Sequence, residues 1–436
     1  MKKYLITTSL ITCLIATSAK SQTLNQEVRE LKSRIGQLEQ KIASTQSSDN
    51  LKNKFNLNTA RFNPQIGLLI NGKFHSSSDN SDEISLAGFQ TPSHLHGNKE
   101  GFSLFESELN LSADVDDMFR LSSNIVFIDE EGEDKVEIEE LFGETTNLPY
   151  GVNVKFGRFL ANIGYLNNQH LHADNFSNRP IAYQAFLGNH YFDDGAQVSW
   201  LLPTQFYSEA GVALLSGRNF PAGGRSANGV PSKSAFFKTG GEIFGGEIQA
   251  GLSYLQTNVG DDGRIYSHDH DGNTEELAFR GDSNLFIADM KYSFSPSGNI
   301  RQNEIILQGE YFNRRENGSY TLSNGGTIEE TDNFKSNQSG FYAEAVYKFL
   351  PKWRLGYRYS KLYASEASDV ANFDEASINS NGHNPESNTV MIDFTNSEFS
   401  RFRLEYENLD LAYNNRNEAI TLQYIVSIGA HPAHRF

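Results

Sequence analysis

Three histidine pairs, each with one residue between, mark this chain: His94-Leu95-His96, His170-Leu171-His172 and His268-Asp269-His270. In extended backbone, residues i and i+2 face the same way, so both imidazoles of a pair can reach one ion. Random placement of 11 histidines among 436 residues would give fewer such pairs. Asp174 continues the parity of His170 and His172, and His190 lies at the far end of the same polar stretch. Imidazole with carboxylate suits zinc, copper or nickel. The spacing therefore predicts binding or passage of Zn2+ or another divalent transition metal, with no resident cofactor required. The competing reading is that these imidazoles are hydrated or cap loop structure. No organised nucleophile-base spacing, G-x-S-x-G elbow or phosphate-binding glycine loop is present, so no enzyme is expected.

The elements that must position these groups alternate with period two. Trp353, Leu355, Tyr357 and Tyr359 share one parity, with Lys352, Arg354, Arg358 and Ser360 on the other. Phe402, Leu404 and Tyr406 alternate with Arg401, Arg403, Glu405 and Glu407, and Phe286, Ala288, Met290 and Tyr292 with Asp289, Lys291 and Ser293. Ile420, Leu422, Tyr424, Val426 and Ile428 continue in phase to Phe436. Such strands are apolar on one face and polar on the other. Tight turns at Asp116-Asp117, Pro149-Tyr150-Gly151, Pro203-Thr204, Pro296-Ser297-Gly298, Pro351-Lys352 and Asn396-Ser397 take turns with long polar stretches. Those stretches cover about 75–101, 161–193, 216–234, 258–282, 316–338 and 364–387. This is the pattern of a closed antiparallel transmembrane β-barrel of about 16 strands, all-β, water-filled, with large loops at one end. The polar parity supplies candidate pore-lining residues: Lys73, Glu106, Glu108, Glu137, Glu139, Lys155, Lys291, Arg354, Arg358, Arg401, Arg403 and Glu405. Glutamates fall on the early strands and arginines on the late ones, which predicts a field across the pore.

Composition agrees. With 54 Asp+Glu against 37 Lys+Arg and a net charge of −17, the chain does not suit nucleic acid. No apolar run after residue 20 approaches the roughly 18 residues of a membrane helix. Met1-Lys2-Lys3 followed by an apolar stretch reads as a signal peptide over 1–21, and the chain's single cysteine, Cys13, lies inside it. Leu24, Val28, Leu31, Ile35, Leu38 and Ile42 form a heptad seam. This predicts a short α-helical, periplasmic coiled coil over 22–43 and hence self-association. Residues 44–60 read as a flexible linker and 61–436 as the barrel.

Signal peptide, coiled coil and barrel in this order resemble the phosphate-selective porin O/P-like group of outer membranes. Gly101-Phe102-Ser103-Leu104-Phe105-Glu106-Ser107-Glu108-Leu109, Gly157-Arg158-Phe159 and Asp193-Asp194-Gly195, and Gly429-Ala430-His431-Pro432-Ala433-His434-Arg435-Phe436 are similar to a zinc-regulated outer-membrane porin family. The resemblance implies an outer-membrane passive channel for small hydrophilic solutes or ions, divalent metal among them. By analogy with general porins a homotrimer is expected, although the heptad residues alone lean to two strands, and 161–193, the third connection on the long-loop side when the acidic Asp129–Asp134 turn is counted, is expected to fold into the pore. The other function in view is a non-conducting surface protein that binds metal or a partner through its histidine-bearing loops.

Overall fold

The computed structural model describes residues 64–429 apart from 79–84, 93–97, 131–132, 224–229, 271–272, 365–379 and 414. The expected signal peptide, coiled coil and linker lie outside the described residues, as do His94, His96 and the stretch 430–436.

β1 (Gln65–Ser77) pairs with β2 (Gly101–Leu104) and β3 (Ser107–Asp114). Each later strand pairs with the one before it: β4 (Phe119–Glu130), β5 (Glu133–Thr145), β6 (Val152–Leu160), β7 (Phe192–Leu201), β8 (Tyr207–Leu215), β9 (Ser232–Ile243) and β10 (Gly246–His270). The series continues through β11 (Asn273–Phe294), β12 (Glu304–Asn324), β13 (Thr327–Leu350), β14 (Trp353–Tyr363), β15 (Glu386–Ser397), β16 (Ser400–Ala412) and β17 (Asn415–Gly429). β17 returns to β1, with Gly429 opposite Gly67 and Ala419 opposite Ser77, so the sheet closes. β2 and β3 are two halves of one wall strand, which makes a barrel of sixteen antiparallel strands.

Alternation dictates which way each side chain points. Ile70, Leu104, Val198, Leu252, Met290, Leu355, Leu404 and Leu422 face outward and are exposed, while Lys73, Glu108, Arg358, Arg403 and Glu405 face inward and are buried. The break between β2 and β3 is a bulge. Leu104 lies opposite Gly72 but Glu108 lies opposite Leu69, one residue more than an even ladder allows. A one-residue slip exchanges the faces of a strand. The bulge, with Glu106 at φ 21°, thus brings Glu108 into register on the inner face.

Short connections close one end of the barrel, as the turn residues require. At the other end the structure corrects two expected loops. Residues 258–282 and 316–338 are mostly strand, the upper parts of β10–β13, in register save for shifts at Val259/Arg264 and Leu322/Ser323. Their outer face is polar, which disguised them as loops. Their inner face carries Val259, Leu277, Phe279, Tyr320 and Phe334, packed as a cluster of their own. His268 and His270 accordingly lie in β10 and not in a loop.

The third long connection turns inward as expected. It carries 3-10 turns at Leu166–Asn168 and Leu171–Ala173, then a helix, α1 (Ile181–Leu187), every residue of which is buried. Seven residues cannot hold a helix by propensity; packing holds this one. It ends at Gly188 in the left-handed region, where an added Cβ would stand 2.9 Å from Pro92 Cγ.

Candidate functional site

The loop fills much of the lumen, and the two sides of its seat differ. On β8 and β10–β14 part of the inner wall is apolar. Ala213, Leu215, Leu255, Leu285, Ile287, Phe312, Tyr342 and Leu362 enclose Ile163, Leu166, Ile181, Ala185, Phe186 and Leu187 from the loop. The expectation of a water-filled lumen lined throughout by the polar parity is corrected here. Leu285-Phe286-Ile287 and Tyr311-Phe312 are apolar on both faces. One face meets the surroundings; the other meets the loop. Buried carboxylates border this apolar patch, among them Asp289, Glu310 and Glu344. Glu310 of β12 accepts hydrogen bonds from the backbone N–H of Tyr165 (2.9 Å) and Leu166 (3.0 Å) and from the hydroxyls of Tyr183 (2.9 Å) and Tyr342 (2.8 Å). Four donors on one buried carboxylate satisfy the need of a charge in a low-dielectric place.

On the other side the loop meets charge. His172 Nδ1 lies 2.5 Å from Glu108 Oε1, and His170 Nδ1 2.8 Å from Glu139 Oε2. His170 Nε2 is 3.4 Å from Glu140, and His190 Nε2 3.3 Å from Glu139 Oε1. The rings of His170 and His172 stack with centroids 5.8 Å apart. Asn124 of β4 donates to Glu139 at 2.6 Å. Glu139 sits at a register shift in β5, beside Glu140. Burial by itself would make His170 harder to protonate. Glu108 and Glu139 outweigh it and hold the imidazole well above its ordinary pKa.

Asp174, expected beside these histidines, is turned away by the 3-10 turn at 171–173 and pairs with Arg179 at 2.6 Å. The i,i+2 argument assumed extended backbone, which this stretch does not have. Among the described residues no three His, Cys, Asp or Glu side chains are arranged to hold a metal ion.

The expected lining residues largely face inward, and many of them hold the loop. Lys73 donates to Ser177 O (3.0 Å), Asn178 Oδ1 (2.8 Å) and Asn98 Oδ1 (3.1 Å), and its ammonium stands 3.2 Å from the Phe105 ring centroid. Arg358 donates to Asn178 O at 2.7 Å, and Arg403 to Asp174 O at 2.8 Å. Glu405 accepts from Ser177 N at 2.7 Å. Lys291 donates to Tyr165 Oη at 2.8 Å. Lys155 lies 4.3 Å from the Phe142 ring. Glu106 is half-buried at the bulge, and Glu137 is exposed near the upper end of β5. The late arginines do not form a bare positive wall. Arg354 pairs with Asp393 at 2.5 Å, and Arg403 lies 3.8 Å from both Asp393 and Glu405. Arg401, beside them, has a buried Nε and Nη1 without hydrogen-bond partners.

Sequence reasoning missed Glu310, Tyr183, Tyr342, Glu140, Arg179 and Asp193. Asp193 accepts from Gly217 N at 2.6 Å and Tyr191 Oη at 3.1 Å, fastening the loop's exit to the 216–218 segment. No sequence signal marked Glu310: its inner-face neighbours on β12 are Gln308, Phe312, Arg314 and Glu316.

A closed sixteen-stranded barrel with an apolar outer band and its third loop folded inside defines a porin-type barrel. The comparisons agree on the fold. A scan against protein-family models finds no match. An uncharacterized protein of Aquifex aeolicus is 30% identical over 403 residues, covering 86% of this chain and 80% of the relative; the chain belongs to that protein's family. The outer membrane channel DcaP of Acinetobacter baumannii superposes with a TM-score of 0.52 at 12% identity, over 84% of this chain and 97% of that one. OprB of Pseudomonas putida gives 0.51 at 11%, over 84% and 94%.

Proposed function

We propose that this protein is an outer-membrane channel for passive diffusion of small hydrophilic solutes, its bore set by the infolded loop 161–191. One observation carries the reading. The outer surface of a closed barrel is apolar, its inner surface is charged on one side, and one loop is tied to the inner wall at β3, β5, β12 and β16. An apolar outer band with no open sheet edge is what lipid accepts. Passage takes place around or past the loop, through the charged side, where water and ions are tolerated. Reconstituted in a planar bilayer, the full chain should give stepwise conductance; a silent bilayer with inserted protein would end this reading. The finer kinship, with phosphate-selective or zinc-regulated porins, is supported by the motifs at Gly101–Leu109, Gly157–Phe159, Asp193–Gly195 and 429–436, and assembly as a trimer is proposed by analogy with general porins. Chemical crosslinking in detergent tests the trimer.

Metal capture is the competing role for His170, His172 and His190. Our reading gives these imidazoles to Glu108, Glu139 and Glu140 as fasteners of the loop. A raised proton affinity opposes metal ligation, which needs the neutral ring. Calorimetry with zinc on the wild type and on His170→Ala/His172→Ala separates the two: equal heats support fastening, and heat lost in the variant supports capture.

A further inference from the structure

The outward face of β10–β13 changes character abruptly along its length. Reading across the register, Leu252, Ala288, Tyr311 and Phe341 form one row, followed by Tyr254, Phe286, Asn313 and Ser339. The next rows are Gln256, Asn284, Arg315 and Asn337, then Asn258, Asp282, Asn317 and Lys335, then Arg280, Ser319 and Asn333. Below the change the exposed residues are aromatic and aliphatic; above it they are amides, hydroxyls and three cations. Arg280, Arg315 and Lys335 are all exposed. The one carboxylate among these rows, Asp282, accepts a hydrogen bond from Asn258 Nδ2 at 2.8 Å. Among the described residues no carboxylate forms an ion pair with any of the three cations.

We propose that Arg280, Arg315 and Lys335 form a binding surface for the phosphate of a lipid headgroup in the surrounding leaflet. The inference rests on the membrane reading given above. The chain carries −17 overall, so an unbalanced positive patch is unusual on it. The patch begins one row above the last aromatic residues, which is where a membrane's apolar core gives way to headgroups. Arg315 and Lys335 lie on neighbouring strands two residues apart in register, about 8 Å between Cα atoms at ordinary strand spacing. Their long arms can converge on one phosphate, Arg315 with its planar fork and Lys335 as a point charge. Arg280, one row higher, is placed for a second phosphate or for the far side of the same headgroup.

The test uses the full chain in a neutral detergent, with phosphatidic acid as the probe and native mass spectrometry as the readout. Diacylglycerol supplies the tails without phosphate, and inorganic phosphate the anion without tails. At roughly a factor of five per basic residue, the variant Arg280→Gln/Arg315→Gln/Lys335→Gln should bind phosphatidic acid on the order of a hundredfold more weakly than wild type. Arg315→Gln alone should lose about fivefold, which keeps the test open if the triple variant does not fold. Arg301→Gln, at the opposite end of the barrel, should bind like wild type. Unchanged affinity in the variants would overturn the proposal, as would equal binding of diacylglycerol or of inorganic phosphate. Bilayer conductance separates the two levels: a wild type that conducts but shows no preference for phosphatidic acid removes only the headgroup surface, whereas a silent wild type removes the channel.

Discussion

The loop 161–191 has a dry side and a charged side, and they hold it by different means. On the dry side, Phe186 stacks on Phe312 with centroids 5.5 Å apart and meets Phe89 edge-on at 5.6 Å. Tyr183 meets Phe312 at 5.2 Å. These contacts do not depend on pH or salt. On the charged side, Glu108, Glu139, Glu140, Glu405, Lys73, Arg358 and Arg403 grip polar groups of the loop. Buried ion pairs add little net stability over an apolar contact of similar volume, yet they cost much when one partner is lost. The difference assigns two tasks. The apolar half fixes where the loop sits; the charged half decides how readily it yields and leaves polar groups toward which a hydrated solute can move.

The largest way to break this contrast is from the dry side. Phe186→Ala should cost the loop about 4 kcal/mol of attachment. Amide exchange over 161–191 should rise by orders of magnitude, with larger single-channel conductance and little change in exchange of β4 or β16. Glu310→Gln comes next. It keeps the shape but sets an amide nitrogen against four donors, at about 2 kcal/mol. The same exchange measurement should show an intermediate loosening. Wild-type exchange in both variants would mean that the charged side alone holds the loop.

The barrel was legible because alternation is a property of neighbouring residues. Strand number and closure followed from Trp353–Tyr359, Phe402–Tyr406 and the spacing of turns; the inward turn of 161–193 followed from likeness to general porins. The upper parts of β10–β13 were not legible. There the outer face is already polar, and Arg264 and Glu316 sit on the inner face, paired at 2.8 Å. With the inner face mixing this pair with the cluster of Val259, Leu277, Phe279, Tyr320 and Phe334, the alternation is too irregular to read. The site was half legible. His170 and His172 were singled out, but their partners, Glu108, Glu139 and Glu140, lie far away in sequence. Glu139 faces them through an irregularity in the ladder that no local pattern announces.

The charged side can be loosened by titration. His170 faces Glu108 from β3, Glu139 and Glu140 from β5, Asn124 from β4, and His172 beside it in the loop. Its pKa is raised in the folded loop. The stabilisation is therefore complete below the unfolded value of about 6.5 and is lost as pH rises through the raised one. Conductance should grow, and loop exchange quicken beyond its intrinsic pH dependence, above neutral pH. His170→Gln should flatten that dependence without abolishing conductance. A profile that rises toward acid would reverse the sign and remove His170 from the fastening role.

A charge pair outside the lumen sharpens the comparison with the smallest effect. Arg218 reaches Asp194 at 3.0 Å, with side chains 59% and 39% exposed. Exposed pairs contribute about 0–1 kcal/mol, and solvent screening keeps the value low. Asp194 also keeps Arg158 at 2.8 Å when Arg218 is removed. Arg218→Ala should therefore leave conductance, its pH profile and loop exchange at wild-type values, with only a slight fall in melting temperature. The backbone N–H of residue 218 still reaches Asp193 at 3.2 Å in such a variant, so the loop's exit stays fastened. If Arg218→Ala instead loosened the loop as much as Glu310→Gln, the rim of the barrel would be coupled to its interior. The division into a dry and a charged seat would then have to include the outer surface as a third support.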